Sequence, residues 1–253
     1  MSELFGGAGV ALVTVFDERG GADPAATAAL ARDLVARGMR AVLVCGTTGE
    51  AATLTGSERA AIIEAVRAAV PDAVPVIAGT GAPSAWQATR LTADAVRAGA
   101  DAVLAWSPPG CELGGYYAAI GAAAGDHPVL AYHVPWISSP GVPVAALPSL
   151  PVAGVKDSSG SPDRLLDELA HYQGATYVGS SALLALAGPM GAAGAILALA
   201  NVEPEDCCRA FAGDAEAQRA LADRHLEVRD GGIPALKRIL AKTRPISAVS
   251  RVS

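Results

Sequence analysis

The sequence predicts a (β/α)8 TIM barrel, an α/β fold of parallel strands with a short C-terminal helical extension, and three observations carry that expectation. Apolar runs bounded by turn residues alternate with helical stretches, eight such units fit in 253 residues, and the runs are nearly continuously apolar. Strands of that kind are buried on both faces, as in a parallel sheet covered by helices. The rival, an open doubly wound sheet, usually carries a glycine-rich first turn for dinucleotide phosphates. Here that turn reads Asp17-Glu18-Arg19-Gly20-Gly21, and Gly46-Thr47-Thr48-Gly49-Glu50 lacks the Lys-Ser/Thr pair of a phosphate loop.

Taken in order, the expected strands cover 10–16, 41–45, 75–80, 102–107, 129–134, 152–156, 176–179 and 195–200. Asp23-Pro24 and Ser161-Pro162 each supply an N-cap followed by a proline at the first helical position, so helices start near 24 and 162. Thr55 with Glu58, and Ser84 with Gln87, have capping-box spacing and predict starts near 56 and 85. Further helices are expected over 115–124, from 204 to about 226, and over 233–242. No linker or composition break interrupts the pattern, so residues 1–253 read as one barrel domain whose helical extension covers about 203–245.

Composition narrows the function classes. Apolar residues make up 51% of the chain, which is ample for a large core. A formal charge of −6, no basic run and 4% aromatic residues argue against nucleic acid as a partner. No apolar run is long enough to span a membrane, and the start Met1-Ser2-Glu3-Leu4 lacks a cationic signal, so a cytoplasmic protein is expected. Cys45, Cys111, Cys207 and Cys208 form no metal-type pair, and the four histidines are scattered. The cysteines read as small buried hydrophobes, and no metal or organic cofactor is expected.

In a barrel the chemistry sits at the C-terminal ends of the strands. Thr47 and Thr48 follow the second strand, Tyr132 lies in the fifth, and Lys156 ends the sixth. An ammonium at the inner end of a buried strand is costly unless it is paired or serves as a nucleophilic amine. Lys156 therefore has two readings: a strand-end cation that reaches solvent or Asp157, and an amine that forms a Schiff base with a ketone. Two hydroxyls at a glycine-flanked turn can hold a carboxylate, and a phenol can pass a proton. Singly, each is as well explained as turn or core. Together at one rim they suit 2-oxo-acid chemistry.

Gly46-Thr47-Thr48-Gly49-Glu50, then Tyr132-His133-Val134-Pro135, then Gly154-Val155-Lys156-Asp157-Ser158-Ser159-Gly160, with Ile233-Pro234-Ala235-Leu236-Lys237 near the end, resemble the dihydrodipicolinate synthase and N-acetylneuraminate lyase family. The resemblance runs from about Gly9 to Pro245. It implies a class I, pyruvate-dependent aldolase or lyase that makes or cleaves a carbon–carbon bond between pyruvate and an aldehyde, working as a homo-oligomer. By the same matches Lys156 is the Schiff-base lysine, Tyr132 the proton-transferring tyrosine, and Thr47 that tyrosine's hydrogen-bond partner. Thr48 would hold the pyruvate carboxylate, with Gly179 and Ile196 lining the pyruvyl pocket. A free lysine titrates at about 10.4, so a working amine at neutral pH calls for burial or a positive neighbour.

The chain departs from the synthase pattern at two places. Where those enzymes carry an arginine for the aldehyde's carboxylate, two residues after the proline of the tyrosine motif, this chain has Ile137, so a neutral or hydroxylated aldehyde is expected in place of aspartate semialdehyde. Arg164, early in a capped helix, is expected in solvent rather than as a substitute. The synthases' interface tyrosine is also missing from Pro108-Pro109-Gly110-Cys111, and Tyr116 and Tyr117 come later. Lysine-pathway synthase, hydratase or dehydratase, and a non-catalytic 2-oxo-acid binder remain the alternatives.

Overall fold

The computed structural model describes residues 3–252. Its elements run β1 (Gly7–Ala11), α1 (Pro24–Ala36), β2 (Val42–Val44), α2 (Gly56–Ala69), β3 (Val76–Gly79), α3 (Ala85–Arg97), β4 (Ala102–Ala105) and α4 (Leu113–Ala124). The second half follows with β5 (Val129–His133), β6 (Gly154–Asp157), α5 (Pro162–His171), β7 (Ala175–Val178), α6 (Leu184–Ala187), β8 (Gly194–Leu197), α7 (Pro204–Phe211), α8 (Ala215–Ala220) and α9 (Ala222–Thr243). The eight strands pair in parallel, in chain order, and β8 closes on β1. The expected barrel is the observed one.

The helix starts are set by the local chemistry that the sequence advertises. Asp23 and Ser161 cap α1 and α5 ahead of their prolines, and Thr55 with Glu58 forms a complete capping box on α2. Ser84 caps α3 through the Gln87 N–H, but the Gln87 side chain meets the serine hydroxyl instead of the backbone, so that box is half formed.

Alternation along the strands divides the core in two. Val10, Val42, Val44, Val103, Ala131, Val155 and Val178 face the helices. Leu43, Ile77, Leu104, Leu130, Tyr132, Tyr177 and Ile196 fill the barrel interior. Phe5 stacks on Tyr177 at 4.7 Å between ring centroids and plugs the N-terminal end. The open end is therefore the C-terminal one.

Two expected elements differ. The first strand lies at Gly7–Ala11 rather than 10–16, because beyond it backbone N–H groups turn to side chains: Val13 donates to Asn201 and Val15 to Thr27. The single helix expected over 204–226 is broken. Gly213 adopts φ 99° and Asp214 caps a new start by accepting from the N–H groups of Glu216 and Ala217. The chain then runs on as α9, which absorbs the expected 233–242 helix across a kink at Gly232, φ 61°, just before Pro234. Cys45 and Cys207 are buried as expected, whereas Cys111 and Cys208 are only half-buried. Among the described residues no helix is long and apolar enough to cross a membrane.

Candidate active site

A cavity of about 670 Å³ opens at the C-terminal end of the barrel, and Thr47, Thr48, Tyr132, Lys156, Gly179 and Ile196 all line it. The strand register makes that convergence: Tyr132 on β5 lies beside Lys156 on β6, and both side chains point inward because their neighbours Ala131 and Val155 point out. The Lys156 Nζ sits 4.6 Å from the centre of the Tyr132 ring. Both residues are almost fully buried. Among the described residues Lys156 has no carboxylate partner. Asp157 points to the opposite face, where Ser159 donates to it through both N–H and Oγ. The reading of Lys156 as one half of an Asp157 ion pair is thereby removed.

The Tyr132 phenol takes its hydrogen bond from Ser158 Oγ at 3.3 Å, where the resemblance gave that partner as Thr47. Ser158 stood inside the motif that contains Lys156, but nothing in the sequence singled it out. Gly179 packs against that hydroxyl so closely that a Cβ would run into Ser158 Oγ, which explains why this wall needs a glycine. On the other side, Thr47 and Thr48 sit in a turn closed by the Glu50 N–H to the Thr47 carbonyl at 3.0 Å. Glu50 itself holds a left-handed conformation, φ 56°.

Ile137 lies outside the cavity wall. The turn after β5, with the Ile137 N–H on the Val134 carbonyl, aims Trp136 at the cavity and leaves Ile137 38% exposed. Tyr116 and Tyr117 are also elsewhere: both are buried in α4 and donate to the carbonyls of Trp106 and Ala105 at 2.8 and 3.0 Å. The residues that sequence reasoning passed over are Trp136, Ser180, Ser181, His225 and Arg229, which form the outer wall. They come from loops and from α9, where no periodicity marks a cavity-facing side chain.

Arg164, expected in solvent, is instead folded under the rim behind β6. It lies 3.6 Å from Asp157 and 2.8 Å from Glu168, and it donates to the Val142 carbonyl. One guanidinium thus meets two buried carboxyls. Asp157 has the Ser159 hydrogen bonds, while Glu168 has among the described residues only the Arg164 guanidinium, so the proton goes to Glu168. Burial, and next the Asp157 charge, push its carboxyl up to about 7. The folded value lies above the unfolded one, so the folded protein binds this proton more tightly. Stability from this group is full below about pH 4.5 and is lost as pH rises through about 7. Glu168→Gln should flatten that slope. In urea titrations at pH 5 and pH 8, the wild-type loss should exceed the variant's by about 2–3 kcal/mol; equal losses would mean that Glu168 is ionised throughout.

Residues 4–245 match the model of the dihydrodipicolinate synthetase family. A 4-hydroxy-tetrahydrodipicolinate synthase of Salinibacter ruber is 34% identical over 257 residues, covering 96% of this chain and 83% of that one. A synthase of the same name from Synechococcus sp. is 42% identical over 136 residues, a match spanning 52% of this chain and 45% of that relative. The crystal structure of a chloride-inhibited dihydrodipicolinate synthase from Acinetobacter baumannii, complexed with pyruvate, superposes with a TM-score of 0.89 at 26% identity, covering 98% of this chain and 92% of that one.

Proposed function

Because the chain belongs to the dihydrodipicolinate synthetase family, we propose that it is a class I lyase or aldolase in which Lys156 forms a Schiff base with pyruvate. The observation that carries this reading is a buried amine with no carboxylate partner among the described residues, 4.6 Å from a phenol ring, in a cavity that two threonines also line. In this reading the neutral Lys156 amine attacks the ketone carbon of pyruvate or of a 4-hydroxy-2-oxo acid. Loss of water then leaves an iminium, and Tyr132, hydrogen-bonded to Ser158, moves the protons. Thr47 and Thr48 hold the carboxylate with hydroxyls and backbone N–H groups.

In the cleavage direction a base takes the proton of the C4 hydroxyl, the C3–C4 bond breaks, and its electron pair enters the iminium as an enamine. The aldehyde leaves with the oxygen of that hydroxyl as its carbonyl. Protonation of the enamine carbon and addition of water return pyruvate and free Lys156. Synthesis runs the same steps backwards. The chemistry asks for no metal or organic cofactor, and the reading includes a cytoplasmic homo-oligomer.

The relatives' names favour a second reading, condensation of pyruvate with aspartate semialdehyde. The cavity lining weighs against it: Arg229 is its one guanidinium among the described residues and already pairs with Asp230 at 2.7 Å, and a missing charge-assisted hydrogen bond costs about 1.5–3 kcal/mol, or roughly 10- to 100-fold in selectivity. The test is pyruvate release from a panel of 4-hydroxy-2-oxo acids beside condensation with aspartate semialdehyde. Cleavage is expected to win. In the same assay Tyr132→Phe should lower kcat by roughly 10²- to 10⁴-fold with the fold intact. Near-normal turnover of that variant would make Tyr132 a packing residue, and a clear preference for aspartate semialdehyde would replace the first reading by the second.

A further inference from the structure

A three-carbon keto acid bound at Lys156 would take up a small part of a cavity of about 670 Å³, and the lining beyond it includes His225, Ser180, Ser181 and Arg229. This wall centres on His225 of α9, whose Nδ1 lies 2.8 Å from Ser181 Oγ. Ser181 is 6% exposed. Its carbonyl accepts from Gln218 Nε2 at 2.9 Å, and Gln218 Oε1 in turn accepts from the Ala185 N–H at 3.0 Å. The imidazole is therefore oriented by a hydroxyl that is itself braced from α8, the kind of support that holds a working histidine in one tautomer and pose.

Burial, and next the charge of Arg229, push the His225 imidazole below its ordinary value, with Asp230 opposing. That shift favours the neutral ring, with Nδ1 engaged by Ser181 and the other nitrogen left as a single donor or acceptor. Arg229 also lines the cavity, but its charge is met by Asp230 at 2.7 Å. With Ser159 and Ser180 beside it, this wall offers neutral hydrogen-bonding groups rather than an uncommitted cation. Such a surface fits hydroxyls better than a carboxylate.

We propose that His225, positioned by Ser181, is a specificity-determining residue that hydrogen-bonds a hydroxyl on the carbon chain of the aldehyde partner. The inference rests on the imine reading above and adds the residue that reads the second substrate. The partner is then a neutral aldehyde bearing hydroxyls beyond its carbonyl carbon. Lys156 serves every substrate alike, whereas His225 serves only those with an oxygen to offer.

The experiment separates the two halves of the reaction. Deuterium exchange from solvent into the methyl group of pyruvate reports imine and enamine formation without any aldehyde. Cleavage of 4,5,6-trihydroxy-2-oxohexanoate and of 4-hydroxy-2-oxobutanoate reports the second half with and without further hydroxyls. His225→Phe is expected to lower kcat/KM for the trihydroxy acid roughly 10-fold, the scale of one net hydrogen bond, through a higher KM. Exchange and cleavage of the shorter acid should be unchanged. Ser181→Ala should shift the trihydroxy acid in the same direction, and His225→Gln should recover part of the loss. Equal losses on both acids, or no loss on either, would overturn the proposal while exchange persists. Failure of the unsubstituted protein to exchange would overturn the imine reading and this inference with it.

Discussion

Lys156→Met is expected to abolish turnover and at the same time make the protein more stable. Lys156 is 4% exposed, has among the described residues only the Tyr132 ring beside its amine, and occupies a strand position whose neighbours on both sides are aromatic residues of the barrel interior. A thioether of similar length keeps the packing and removes the cost of burying a polar amine there. A gain of about 0.5–2 kcal/mol is the usual scale of a single stabilising substitution. Lys156→Arg should be inactive as well, because a guanidinium stays protonated and cannot attack a ketone. Urea unfolding and a pyruvate-release assay on the same preparations check both halves. A Met variant that is inactive but clearly less stable would mean that Lys156 is a structural element, whatever else it does.

Lys237→Met should do the opposite. This second buried lysine lies 2.5 Å from Glu50, over the Phe16 ring, and donates to the Val249 carbonyl at 2.9 Å. Burial pushes its ammonium down from the ordinary lysine value, and the Glu50 carboxylate holds it up. Glu50 is 2% exposed and also receives Ser250 Oγ and the N–H groups of Arg251 and Val252. Removing the lysine leaves a carboxylate in the core with neutral donors only, and breaking a buried pair in this way costs about 3–5 kcal/mol. Glu50 follows the Thr47-Thr48 turn directly, so the KM for pyruvate should rise together with the loss of stability. The double variant Lys237→Met/Glu50→Gln should recover much of the stability, since no unpaired charge remains. A single Lys237→Met substitution within about 1 kcal/mol of wild type would show that the tail contacts alone carry Glu50.

These two lysines mark how far the sequence can be read. The barrel was legible because its signals are local: nearly continuous apolar runs bounded by turn residues, caps at Asp23, Thr55 and Ser161, and prolines just inside helices. Lys156, Tyr132 and the two threonines were legible for a similar reason, since each sits at a strand end and strand ends converge in this fold. What Lys237 does was hidden. Its segment and the Gly46-to-Glu50 turn are each recognisable, but that they meet in a buried ion pair depends on the kink at Gly232 and on the path of the tail. Arg164 was misplaced because an N-terminal helix position says nothing about which way a long side chain folds, and here two carboxyls draw it inward. His225 and Ser181 meet across loop and helix through tertiary contacts that leave no trace in spacing.

The most direct measurement is reductive trapping. Protein incubated with pyruvate and treated with borohydride should carry a reduced pyruvyl group on the side-chain nitrogen of Lys156, identified by peptide mass spectrometry, and activity should fall in step with labelling. Labelling of a different lysine, or an unmodified Lys156 with activity intact, would contradict the Schiff-base mechanism on which the account rests.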